Sequence, residues 1–182
     1  MRARIFALLL AAVMLALPLV SCATPETTYD AADTYRERFN ALCAELGYDA
    51  YFVNQAEIDT LGDKFTIAMM TGLFTVTGEV KGSSVETLTV TLNEFARTYI
   101  DISDDRDAAE LSVLFMASLP ILALTDEYET LDTEDVQRFV IETALPSLEK
   151  VQLVGDYKLK TAFRLTEDGS PEILSLSMTR VR

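Results

Sequence analysis

Hydrophobic and polar positions alternate most clearly near the C-terminal end. Tyr157, Leu159, Phe163 and Leu165 alternate with Lys158, Lys160 and Arg164. After the turn Glu167-Asp168-Gly169-Ser170, Leu174, Leu176 and Met178 alternate with Ser175, Ser177 and Thr179. A period of two sends neighbouring side chains to opposite faces, so this reads as a hairpin with one buried face. It predicts Tyr157, Leu159, Phe163 and Leu165 packed beneath helices and three cations exposed on the other side. Phe74, Val76 and Val80, then Leu88, Val90 and Leu92, alternate with threonines about the turn Lys81-Gly82-Ser83-Ser84 and predict an earlier hairpin.

Elsewhere the period is helical. Tyr35, Phe39, Leu42 and Leu46 form a stripe within a helix expected over 28–46, with Gly47 as its cap. Cys43 lies beside that stripe and reads as a buried thiol. Residues 48–53 read as a connection or short edge strand. Asn54 and Glu57, flanked by Val53 and Ile58, have the pattern of a capping box with a hydrophobic staple. They predict a second helix through Ile58, Leu61, Phe65 and Met69, ending near Gly72. A strand over 64–71 competes, because Phe65, Ile67 and Met69 also alternate.

The stretch 93–103 is ambiguous in period, with a strand extension and crossover as one reading. Asp104 and Asp107 favour a helix start, and Leu111 to Leu124 is almost wholly apolar but too short to span a bilayer. It reads as a core helix that Pro120 kinks or breaks. A last helix starts near Asp132–Thr133, with Val136, Phe139, Val140, Ala144 and Leu148 inward and Pro146 bending or ending it. The order helix–helix–hairpin thus occurs twice, the units starting near Thr28 and Asp104. The fold expected is α+β: a four- or five-stranded antiparallel sheet covered by helices on one face, with a possible repeat of that unit.

The first residues follow a different pattern. Arg2 and Arg4 precede an apolar run, Ile5 to Val20, whose helical length of roughly 24 Å falls short of the ~30 Å hydrocarbon core. Leu19-Val20-Ser21-Cys22 closes it. This stretch resembles the lipobox of bacterial lipoprotein precursors, a resemblance confined to residues 1–22. It implies a signal peptide over 1–21, a diacylglyceryl and N-acyl (palmitate-type) lipid on Cys22, a short tether over 22–28 and one extracytoplasmic domain over 29–182. It also implies a place at the bacterial cell membrane or outer membrane, held on the extracytoplasmic side. Two or three acyl chains anchor far more firmly than one, because each buried CH₂ contributes about 0.8 kcal/mol.

Charge narrows the partners. The 182 residues carry 15 basic and 29 acidic side chains and no histidine, a net charge of −14. Losing Arg2 and Arg4 with the signal peptide makes it −16. Such a chain is repelled by nucleic acid, which is excluded as a partner. The acid is concentrated in 101–149, whereas 150–182 is mildly basic. Lys158, Lys160 and Arg164 form the basic patch and the candidate partner surface, for an envelope protein or an anionic envelope polymer. An apolar ligand between helices and sheet is a further possibility.

Chemistry is sparse. Without histidine, serine–histidine, cysteine–histidine and zinc–histidine sites cannot be built. Asp101, Ser103 and Asp105 have the odd spacing of a calcium loop. Arg106 stands where that loop needs glycine, and Ser112 where it needs a bidentate carboxylate. No phosphate loop or nucleophile elbow is present. No catalytic, cofactor-binding or metal residue is assigned. The expectation is a non-catalytic binding or structural lipoprotein of the cell envelope, with a small hydrolase using paired carboxylates as the alternative.

Overall fold

The computed structural model describes residues 25–125, 131–166 and 171–181. The expected signal peptide, Cys22, and the Glu167–Ser170 turn lie outside them. Helix α1 (Pro25–Glu45) leads into strands β1 (Ile58–Leu61), β2 (Lys64–Met69), β3 (Phe74–Lys81) and β4 (Ser84–Leu92). Helices α2 (Glu94–Ile102), α3 (Arg106–Leu122) and α4 (Thr133–Phe139) follow, then β5 (Gln152–Val154), β6 (Tyr157–Leu165) and β7 (Pro171–Arg180). The strands form one antiparallel sheet in the order β1-β2-β3-β4-β7-β6-β5.

The α+β class and the antiparallel sheet are as expected, but the sheet has seven strands, not four or five. Two of the additional strands replace the expected second helix. The capping box is real, with the Asn54 N–H donating to Glu57 Oε2 at 2.5 Å, yet it closes a single 3₁₀ turn, Gln55–Glu57. Gly62, at φ +64°, makes the tight turn with Asp63 that pairs Leu61 with Lys64. Once the chain reverses there, the alternation of Phe65, Ile67 and Met69 prevails over the helical stripe. The short β5 adds a seventh strand outside the last hairpin. The repeated helix–helix–hairpin unit is accordingly replaced by two meanders, β1–β2–β3–β4 and β5–β6–β7, which meet through their last strands.

Two further expectations change. Residues 94–102 form α2 rather than a crossover strand. Residues 25–28, expected in the tether, are the first turn of α1; Thr28 is buried there and donates to the Gly62 carbonyl at 3.0 Å. Gly47 caps α1 as expected. The Tyr48 N–H reaches Cys43 O (2.7 Å) and the Gly47 N–H reaches Ala44 O (3.1 Å), a Schellman pair.

Pro120 does not break α3, which continues to Leu122. It stands in the last turn, and its own carbonyl accepts from buried Tyr35 Oη at 2.9 Å. α3 starts at Asp105, whose carboxylate accepts from Ala108 N–H. α4 starts at Asp132 in a capping box with Asp135. It widens over Val140–Ala144, where Leu145 N–H bonds Val140 O, and tightens over Pro146–Leu148.

The helices cover one face of the sheet. Phe65, Ile67, Phe74, Val76, Leu88, Val90, Leu159, Leu176 and Met178 point into that layer and are buried against Tyr35, Phe39, Leu114 and Ile121. Gly78 has a specific place here: a Cβ on it would lie 2.1 Å from Phe65 Cε1, so the ring occupies the space that a side chain would fill. Thr161 is buried in the same layer and meets Ser147 at 2.5 Å. Among the described residues, no buried side-chain polar atom lacks a partner.

Candidate functional site

The other face of the sheet is open, and its side chains fall into rows across the strands. One row runs Asp59, Thr66, Thr77, Thr89, Ser177, Lys160. A second runs Leu61, Lys64, Glu79, Thr87, Thr179, Lys158, Leu153. A third runs Ala68, Thr75, Thr91, Ser175, Ala162. Neighbouring strands lie about 4.8 Å apart and the rows about 7 Å apart, so hydroxyls recur on a regular lattice. Thr89 and Ser177 bond each other at 3.0 Å, and Thr75 bonds Asn93.

Lys158, Lys160 and Arg164 all lie exposed on this face. Arg164 is hydrogen-bonded to Glu172 directly across the strand pair, which holds its guanidinium pKa up. Lys64 is likewise paired with Glu79 at 2.6 Å. Among the described residues, Lys158 and Lys160 make no ion pair; Lys160 ends the first row beside Ser177, and Lys158 stands in the second between Thr179 and Leu153. The patch therefore reduces to two available lysines beside an occupied arginine.

The inward partners of that hairpin need correction. Tyr157 and Leu159 are buried as expected, but Phe163 is 42% exposed and Leu165 is 67% exposed. Both keep the inward parity, set opposite Ile173 and Pro171 at the far end of the hairpin. A register shift between Ala162 and Phe163 also makes Ile173 a buried residue of β7 in place of Leu174. No alternation in the sequence signals that bulge.

On the helical layer, Tyr48, Tyr51, Leu111, Phe115, Met116 and Ile141 line a groove of about 500 Å³. Tyr48 stacks edge-on against Phe115 with centroids 6.3 Å apart. The sequence reading missed this groove: Tyr48 and Tyr51 read as a connection, and the apolar run 111–124 had no polar phase to show which side faced out. Ser112, on the groove side, was the available signal. A second hollow of about 440 Å³, lined by Thr34, Arg38, Ser83, Ser84, Asp156 and Arg180, lies where the β3–β4 and β5–β6 turns meet α1. Arg180 stacks over the Tyr157 ring there, 5.5 Å from its centroid.

The remaining candidate groups have structural surroundings. Asp101 pairs with Arg106 at 3.6 Å and Asp105 caps α3, so the calcium-like spacing is divided between two helix ends. Among the described residues, no group of three or more histidine, cysteine, aspartate or glutamate side chains is placed to hold a metal ion. Cys43 is buried, and burial, with a smaller contribution from Asp49, pushes its thiol up to about 12. It stays protonated and unreactive at neutral pH. Burial, reinforced by Asp107 and opposed by Arg106, raises the Glu110 carboxyl. Among the described residues, no helix is long and apolar enough to cross a membrane. Comparison of the chain with family models, with curated proteins and with solved structures gives no match.

Proposed function

We propose that the chain is a lipid-anchored, extracytoplasmic protein of the bacterial cell envelope whose open sheet face binds an anionic envelope polymer. One observation carries the binding reading: the seven-stranded sheet has an outer face on which two hydroxyl rows run into Lys160 and Lys158, neither of them ion-paired among the described residues. In a chain of net −14, local cations set against hydrogen-bonding hydroxyls favour an extended anionic partner over a compact neutral one. Filled packing beneath the helices leaves that face free of any structural duty toward the core.

The lipobox residues Leu19-Val20-Ser21-Cys22 support the anchor. α1 begins three residues after Cys22, a reach of at most about 11 Å, so the domain sits close to its membrane. Cys22→Ala is expected to abolish acyl labelling and to move the protein from the membrane fraction to the soluble one. Unchanged lipid labelling in that variant would overturn the anchor.

A further inference from the structure

We propose that the groove on the helical layer docks a basic amphipathic helix from a partner protein. It lies on the layer opposite the open sheet face and goes beyond the polymer-binding reading. Its wall is apolar and aromatic, from Tyr48, Tyr51, Phe115 and Met116. Leu111 is 46% exposed and Ile141 63% exposed, large for side chains that border a hollow. The Ser112 hydroxyl in the groove already donates to Ala108 O at 2.8 Å, and Thr133 and Gln137 are the other polar side chains of its lining.

Charge selects the occupant. Among the described residues, no lysine or arginine lines the groove. Exposed acids flank it: Asp49 beside Tyr48, Asp107 one turn before Leu111, Glu134 one turn before Gln137, and Glu142 beside Ile141. The nearby cations are engaged, Arg106 with Asp101 and Arg138 with Asp135. A fatty-acid carboxylate or a lipid phosphate would be repelled by this rim, and a neutral alkyl chain would gain nothing from it. A helix with one apolar stripe at i, i+3, i+4 and i+7 and a lysine-rich remainder uses both the wall and the rim.

The test uses the full chain in phosphatidylcholine nanodiscs, with empty nanodiscs as the blank. The probe is a labelled peptide of about eighteen residues, leucine on one helical stripe and lysine elsewhere. It should bind more weakly as salt rises. A shuffled peptide without the stripe, and a glutamate-for-lysine counterpart, should each bind at least about tenfold more weakly. Ile141→Glu separates docking from simple attraction. The substitution adds negative charge at an exposed position, yet docking requires at least about a tenfold loss. Equal or tighter binding to that variant would overturn the proposal. Leu111→Glu repeats the test if Ile141→Glu fails to unfold cooperatively. Glu134→Gln should weaken binding severalfold, and Asp59→Asn on the far sheet face should leave it unchanged. Equal binding of the shuffled peptide would refute the docking. So would decanoate, if it occupied the groove more tightly than the basic helix.

Discussion

The two faces of the sheet are drawn from the same strands and built for opposite ends. On the helix side, Phe65, Ile67, Leu88, Val90 and Leu159 are closed from water; on the outer side, Thr66, Thr77, Thr89 and Ser177 stand in an open row. β6 shows what makes the difference. Leu159 and Phe163 share one parity on that strand, yet Leu159 is fully buried and Phe163 is 42% exposed. Alternation decides which way a side chain points; the helices above decide whether it is buried. The stability of this domain accordingly comes from one face and the helical cover, and the other face is free to carry partner chemistry.

Substitutions can break this contrast in a graded way. Leu159→Ala should cost about 3 kcal/mol in denaturant unfolding, the usual range for a buried leucine that leaves a cavity. Phe163→Ala, on the same strand and parity, should cost less than about 1 kcal/mol, because half its contact is already with water. Equal losses at the two positions would mean that the helical cover extends further than described. Gly78→Ala should cost about 2 kcal/mol, since the new methyl would force the Phe65 ring from beneath Tyr35. An unchanged midpoint in that variant would show that the ring is not fixed there.

The smallest effect concerns Glu110. Its carboxyl is raised chiefly by burial, so the fold favours the neutral acid. That contribution is fully present below the ordinary carboxyl range and is lost as pH rises through the raised value. Glu110→Gln should therefore be more stable than the parent at pH 7, by no more than about 0.5 kcal/mol once solvent screening is allowed for. The two should converge in acid. A Gln variant that is less stable at pH 7 would contradict the assignment of burial as the main cause.

Much of this arrangement could be read in the chain, and the failures have physical causes. The last hairpin was legible because Lys158 and Lys160 alternate with Tyr157 and Leu159 beside an unambiguous turn. The β1–β2 hairpin was not, because a functioning capping box at Asn54 and Glu57 closes only one turn, and Gly62 then reverses the chain. α2 was hidden by its own exposed residues. Its buried positions are Ala96 and Ile100, whereas Phe95, Tyr99 and Ile102 face solvent, so the apolar phase pointed the wrong way. The groove was illegible for a related reason: Leu111, Phe115 and Met116 sit in a run with no polar face to orient it. The loss of Arg164 from the free basic patch depends on the register that sets it opposite Glu172, which no local pattern encodes.

The most direct measurement replaces Lys158 and Lys160 together with glutamine in the full chain. It compares thermal unfolding and binding to sodium polyphosphate at low salt with the parent. A division of labour between the faces predicts an unfolding midpoint within the scatter of surface variants and a loss of binding of about tenfold or more. A fallen midpoint would show that these lysines serve the fold, and unchanged polyphosphate binding would show that the open face is merely solvated.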